Sequence, residues 1–321
     1  MSDRVRPRLS ICILSWNTRD LLRDCLQSVG ADPEGGGWEV IVVDNGSVDG
    51  SPEMVREAFP RVRLIVNPCN LGFSGGNNAG LAQAGGDYLL LLNSDTRVAP
   101  GTLPRLVDYL EAHPGTGVVG PRLVNPDGSL QLSCGRPPGL GAEIVHKLLL
   151  HRVFPFFRFG RWNHAATRSV GWVTGACLMA RRAAVDQVGL LDDGIYMCFE
   201  DLDWCLRFRQ AGWDVVYHPV GSVVHLEGQS IRQNLEEMLV VSQRSLFYLF
   251  QKHFGRRHLA ALRALTVVEM VLRSVLWSGL YATSPARRAE AAQRLAAYRR
   301  ILARTIADRR YWAPLGPVQT G

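Results

Sequence analysis

The sequence predicts an α/β protein, a mostly parallel sheet flanked by helices, carrying a helical C-terminal appendage. Three observations lead there. Apolar runs alternate with helical patterns at about 25-residue intervals, the signature of strands joined by crossover helices. Polar residues cluster just after those runs, at Ser15 and Asn17, Asp44 and Asn45, Asn67 to Asn78, and Asn93 to Asp95. From Asn234 to Tyr311 the pattern turns helical with hardly a glycine or proline.

Each element has its own signal. Leu9 to Trp16 reads as a buried strand, and Arg19 to Val29 as a helix with Leu21, Leu22, Cys25, Leu26 and Val29 on one face. Trp38 to Asp44 is a second strand, after which Ser51-Pro52 opens a short helix with proline in its first turn. Val62 to Val66 is a third strand, followed by a glycine- and asparagine-rich loop and a helix near Asn77 to Ala84. Tyr88-Leu-Leu-Leu-Leu92 is a fourth, core strand. Pro121 to Ser169, rich in Pro, Gly, Arg and Phe, reads as an irregular insertion; order resumes from Val170 to about Ser230. A frayed tail is expected from Ala313 to Gly321. The reading divides the chain into residues 1–230 and a helical region, 231–321.

Composition narrows the class. Of 321 residues 47% are hydrophobic and 20% charged, which excludes a disordered or fibrous chain. The net charge of +7 is uneven: residues 255–321 hold 12 arginines against Glu269, Glu290 and Asp308, so the remainder sums to −2. A nucleic-acid binder with a basic core is therefore disfavoured. Seven cysteines without a C-x-x-C pair fit reduced thiols better than a disulfide framework or zinc site. Arg4-Val5-Arg6-Pro7-Arg8 before Leu9 faintly imitates a leader. The apolar run after it is eight residues long and enters Asn17-Thr18-Arg19-Asp20 without a cleavage site. No uncharged stretch reaches the ~18 residues of a spanning helix. The expectation is a cytoplasmic protein, with a peripheral place on a membrane left open.

Five segments carry residues suited to chemistry. Asp44-Asn45-Gly46-Ser47 puts an acid at a strand tip, where the bland alternative is an ordinary turn. Asn70-Leu-Gly-Phe-Ser-Gly-Gly-Asn-Asn78, with Asn67 before it, combines glycines that permit close backbone approach with neutral donors and acceptors. It lacks the G-x-G-x-x-G spacing of a dinucleotide site. Asn93-Ser94-Asp95 ends a core strand with a carboxylate, suited to a Mg²⁺ or Mn²⁺ that also holds a diphosphate. Glu200-Asp201-Leu202-Asp203 places three carboxylates before a helix ending at Gly212, more than capping needs. The helix dipole there is expected to keep an aspartate ionised, as a general base requires. His225 closes another apolar run, and its meaning depends on its company.

Together, Asp-Asn-Gly-Ser, Asn-x-Gly-Phe-Ser-Gly-Gly-Asn-Asn, Leu-Asn-Ser-Asp, Thr-Gly-Ala-Cys, Phe-Glu-Asp-x-Asp and His-x-x-Gly resemble glycosyltransferase family 2. The likeness runs from about Leu9 to Ser230 and is strongest to the rhamnosyltransferase-like branch of cell-surface polysaccharide assembly. It implies a GT-A nucleotide-diphospho-sugar transferase fold and an inverting hexosyl transfer from a nucleotide-diphosphate sugar to a glycan or polyprenyl-linked acceptor. By the same resemblance Ser15, Asn17 and Asp44 line the nucleoside pocket, and Asn70, Gly72, Asn77 and Asn78 lie near the nucleotide and its phosphates. Asn93-Ser94-Asp95 stands where the family has Asp-x-Asp, so Asp95 is left as the carboxylate for a divalent cation, Mn²⁺ or Mg²⁺, that His225 completes. Trp172, Thr174, Gly175 and Ala176 resemble the acceptor-side wall. Asp201 matches the catalytic base, supported by Glu200. Asp203 is expected to pair with Arg207.

Two rivals stay open. A nucleotidyltransferase normally carries a basic glycine-rich first loop, which Ser15-Trp16-Asn17-Thr18 does not offer. A catalytically idle sugar-nucleotide-binding or scaffold protein would not need Asp95, Asp201 and His225 together. For the C-terminal helices, packing on the domain, dimerisation and contact with a membrane surface are all compatible with the apolar and arginine-rich pattern.

Overall fold

The computed structural model describes residues 6–32, 37–148, 150, 162–226, 235–308 and 310–313. The first half runs β1 (Leu9–Ser15), α1 (Arg19–Gly30), β2 (Glu39–Asp44), α2 (Ser51–Ala58), β3 (Arg63–Val66), α3 (Gly72–Leu81) and β4 (Tyr88–Asn93). β4, β1, β2 and β3 lie side by side, all parallel. Alternation along β1 sends Leu9, Ile11 and Ile13 to one face, against Leu22 and Leu26 of α1 and Met54 of α2. Cys12 faces the other side, in a cluster with Leu81 of α3. Each large aliphatic side chain so buried stabilises the fold by about 1.5–3 kcal/mol.

The sequence reading places α3 too late. The asparagine-glycine stretch is not a loop before the helix but its first turns. Glycine is required there for packing: a Cβ at Gly76 would overlap Leu14, and one at Gly80 would come within 2.9 Å of Val43. The helix axis therefore lies closer to the sheet than any larger residue would permit.

The second half contains β5 (Thr96–Val98), α4 (Thr102–Ala112), β6 (Thr116–Gly120), β7 (Leu123–Val124), β8 (Leu130–Gln131), β9 (Cys134–Gly135) and α5 (Leu140–Lys147). It continues with β10 (Arg168–Ser169), β11 (Trp172–Val173), β12 (Cys177–Arg181), α6 (Arg182–Val188), α7 (Glu200–Gln210), β13 (Asp214–Tyr217) and β14 (Val223–His225). Here the sheet departs from a purely parallel one. β12 enters antiparallel between β4 and β6 and extends it to the eight-strand order β10-β13-β6-β12-β4-β1-β2-β3. A second sheet, β5-β14-β7-β8, stands beside the end of β4. The stretch 121–169 is thus not irregular throughout; β7, β8, β9, α5 and β10 lie in it, while 149 and 151–161 fall outside the described residues.

Two helices close the chain, α8 (Leu235–Thr283) and α9 (Arg288–Ala307), joined by a 3₁₀ turn at Pro285–Arg287. Gly255, at φ 77°, interrupts α8 in a conformation costly for any other residue. A third apolar cluster, built on Phe247, Phe250, Leu262 and Tyr298, takes in Leu140 of α5 and Phe199 before α7. The C-terminal helices are therefore packed onto the domain. The expected division at 230/231, Asn234 as helix start, the Gly228 of the last motif and the tail after Ala313 lie outside the described residues.

Candidate active site

The carboxyl ends of β1, β2 and β4 meet the last residue of β14 and the first turn of α7 around one cavity of about 250 Å³. Its wall includes Asn45, Asn70, Gly72, Asn93, Ser94 and Asp95 from the ends of β2 and β4 and the start of α3, and Thr174, Gly175, Glu200, Asp201 and His225 from the opposite side. Several expected residues stand elsewhere. Ser15 is buried beneath the cavity, its hydroxyl 3.0 Å from that of Thr18, which in turn lies 2.9 Å from the Ser94 hydroxyl. Asn17 braces the β2–α2 turn, accepting from Val48 N at 2.9 Å. Asn77 donates to Phe73 O one turn back, and Asn78 clamps the Leu191–Asp193 loop through three bonds. Trp172 packs over Gly135 and belongs to the core, not to the cavity wall. These five side chains are spent on scaffold bonds or packing. Asp44 is intermediate: Oδ2 accepts from Ser47 N at 2.9 Å, while the buried Oδ1 has no hydrogen-bond partner.

Asn45 is a residue that the sequence reading left out of the site. Its amide donates to Asn70 Oδ1 and Gly72 O, both at 3.0 Å, and its oxygen accepts from Asn67 Nδ2 at 3.0 Å and Leu71 N at 3.2 Å. That uses every donor and acceptor of the side chain. Gly72, at φ 76°, lies where a Cβ would overlap Tyr196, and Phe73 N donates to Tyr196 O at 2.7 Å. The start of α3 is thereby pinned to the loop that leads into α7.

Asp95 Oδ1 and His225 Nε2 approach to 3.3 Å, with Asn93 Nδ2 3.4 Å from the same nitrogen. A relay sets the imidazole. Ser129 Oγ donates to Asp127 Oδ1, so it accepts from Asn125 Nδ2; Asn125 Oδ1 then accepts from Gln131 Nε2 at 3.1 Å. Gln131 Oε1 is left to face His225 Nδ1 at 2.8 Å, which therefore donates; in the neutral imidazole the lone pair then lies on Nε2, on the side of Asp95. A carboxylate oxygen and an imidazole lone pair facing each other suit a shared cation, and the fixed second nitrogen is the usual support of a ligating histidine. Among the described residues no group of three or more His, Cys, Asp or Glu side chains could hold a metal. Substrate oxygens would have to complete the coordination. Gln131 carried no sequence signal, since its contact with His225 spans 94 residues.

The acid pair sits opposite. Cys198 and Phe199, at φ 67° and 71°, carry the chain into α7 in a conformation rare for side-chain-bearing residues. Ser245 of α8 holds Met197 O at 2.8 Å, and Phe199 is packed in the third cluster. Asp201 Oδ2 accepts from Gly175 N at 3.0 Å and Oδ1 from Leu202 N at 2.8 Å. Burial nevertheless raises its carboxyl, against those bonds and that of Thr174. The expectation that the helix terminus dominates is thus corrected: desolvation wins. Glu200 is buried with Oε2 unpartnered, and its carboxyl is pushed up to about 8 by burial and by the Asp201 charge. Burial and the Asp201 charge together drive Glu200 toward its protonated form. Asp203, two residues on, has the opposite fate. Burial alone would raise it, but His253 at 2.7 Å, Arg207 at 2.8 Å and Lys252 at 2.7 Å hold it down to about 2. The anticipated Arg207 pair exists, within a larger network that ties α7 to α8.

A mostly parallel α/β sheet flanked by helices, with the cavity at its strand ends, is the GT-A architecture of nucleotide-sugar transferases. A mannosyltransferase from Pyrobaculum calidifontis, solved with GDP-Man and Mn²⁺, superposes with TM-score 0.57 at 18% identity over 95% of this chain and 89% of its own. GalNAc-T7, solved with UDP, GalNAc and Mn²⁺, gives TM-score 0.55 at 17% identity over 77% and 50%. The chain belongs to glycosyltransferase family 2, whose model, Glycosyl transferase family 2, matches residues 10–189. An N-acetylglucosaminyl-diphospho-decaprenol L-rhamnosyltransferase of Mycobacterium tuberculosis is 32% identical over 236 residues, 67% of this chain and 76% of that protein. The O-antigen biosynthesis protein RfbC of Myxococcus xanthus is 30% identical over 71% of this chain but only 18% of its own length.

Proposed function

We propose that this glycosyltransferase inverts the anomeric centre as it moves a hexose, rhamnose by its relatives, from a nucleoside-diphosphate donor to a polyprenyl-linked or glycan acceptor. The observation that carries the proposal is the shared cavity: Asp201 faces the same space as Asp95 and His225. Asp201 takes the proton as the acceptor O–H bond breaks. The acceptor oxygen forms its bond to the anomeric carbon, and the carbon–diphosphate bond breaks on the opposite face. No covalent enzyme intermediate is needed for a single displacement. Asp95 and His225 Nε2 would hold Mn²⁺ or Mg²⁺, which as a Lewis acid offsets the charge growing on the departing diphosphate. Asp44 Oδ1, buried and unpartnered, supplies an acceptor for the base or ribose. Glu200, protonated, lets Asp201 keep its charge without a second one beside it. On this reading the enzyme meets a polyprenyl-linked acceptor at the cytoplasmic face of a membrane.

The test is a thermal-shift panel of nucleotide sugars with and without Mn²⁺, followed by NMR of the product's anomeric configuration. A donor at 100 times its Kd should stabilise the fold by about 2.7 kcal/mol. Stabilisation that ignores Mn²⁺, or a product with retained configuration, would overturn the reading. Donor binding without transfer or hydrolysis would favour the idle sugar-nucleotide binder.

A further inference from the structure

The distal half of α8 carries an apolar ridge that no part of the described chain covers. Val268, Val271, Leu272, Val275 and Leu276 recur at helical spacing, and each is between 42% and 68% exposed. Soluble surfaces rarely leave aliphatic side chains contiguous in this way. The charged side chains of the same stretch are turned elsewhere. Arg263 reaches Thr305 O and Asp308 O, while buried Glu269 binds Lys147 of α5 and Arg273. The ridge is bounded at one end by exposed Arg256 and Arg257 and at the other by exposed Arg287 and Arg288. Among the described residues no helix is long and apolar enough to cross a membrane.

We infer that this ridge rests on an anionic lipid surface, the helix lying in the interface plane with its arginines at headgroup level. Charge decides between lipid and a second copy of the chain. In sequence the arginine pairs stand nearly symmetrically about Leu272, so an antiparallel copy meeting along the ridge would bring positive charge to positive charge at both ends. A parallel copy would stack each pair on itself. The nearest acid beyond the ridge, Glu290, is already paired with Arg294 at 2.8 Å. A sheet of anionic headgroups complements both ends at once, and its acyl boundary takes the aliphatic side chains. The inference goes beyond the transfer reaction and does not depend on it.

The test is co-sedimentation of the full-length protein with vesicles of phosphatidylcholine alone and with about 30 mol% phosphatidylglycerol, at low and high salt. Light scattering and thermal unfolding accompany it. The wild type should bind the anionic vesicles, leave the neutral ones, and be released by salt. Leu272→Glu/Val275→Glu and Arg287→Glu/Arg288→Glu should each bind about tenfold or more weaker, at unchanged Tm. Unchanged vesicle binding by the ridge variant overturns the inference. So does a wild-type dimer that the ridge variant converts to monomer, which would make the ridge a seam between copies.

Discussion

Asn67 to Asn78 and Glu200 to Asp203 are both dense polar segments beside the cavity, and they solve burial in opposite ways. In the first, amides answer amides: Asn45 bonds both Asn67 and Asn70, and Asn78 is spent on the loop facing it. In the second, Asp203 is held by Arg207, Lys252 and His253 while Glu200 is left with a bare oxygen and Asp201 with a carboxyl that burial raises. A buried polar group with complete partners builds scaffold. One left incomplete against a cavity is available to a ligand.

The largest effect should come from the incomplete side. Asp201→Asn keeps the shape and removes the proton acceptor, so kcat should fall about 10²–10⁴-fold while donor affinity moves within a few-fold. Single-turnover transfer beside calorimetric donor binding measures both. Near-normal transfer would erase the contrast between Asp201 and its neighbours.

Next comes the histidine relay. Gln131→Leu removes the acceptor for His225 Nδ1 and frees the ring to turn or change tautomer. Mn²⁺ affinity, followed by electron paramagnetic resonance, should drop about 10–100-fold, with partial recovery in Gln131→Glu. Equal loss of Tm and of Mn²⁺ binding in both variants would reduce Gln131 to a packing residue.

A smaller effect is expected on the saturated side. Asn45→Ala strands Asn67 and the Leu71 N–H and should cost about 1–3 kcal/mol in urea unfolding. Loss of turnover at unchanged stability would instead assign Asn45 to the ligand.

How far the sequence revealed this depended on range. The strands β1 to β4 were legible because their apolar runs are contiguous, and the meeting of Asp95, Asp201 and His225 at one cavity followed positions that the motifs mark. The antiparallel β12 was not, since a five-residue run carries no sign of its direction. Ser15, Asn17, Asn77, Asn78 and Trp172 do not line the cavity, because a motif names residue types but not which of them local bonds or packing already occupy. Gln131 and Asn45 were missed because their partners lie 94 and up to 27 residues away.

The finest test concerns the proton on Glu200. Its carboxyl moves from an ordinary 4.5 to about 8, because burial disfavours the charge and Asp201 already supplies one. Between those values the folded state binds more protons than the unfolded state. Stability should therefore decline as pH rises from about 4.5 to 8, and Glu200→Gln should flatten that slope. Catalysis feels the same ionisation. Above pH 8 a second negative charge enters a cavity proposed to receive a diphosphate, so the wild-type KM for donor should climb a few-fold while that of Glu200→Gln stays level. In Glu200→Gln kcat near neutrality should change little, since the residue is already neutral there. Should Glu200→Gln instead lose transfer as Asp201→Asn is expected to, the proton acceptor is Glu200, and the two carboxylates exchange roles.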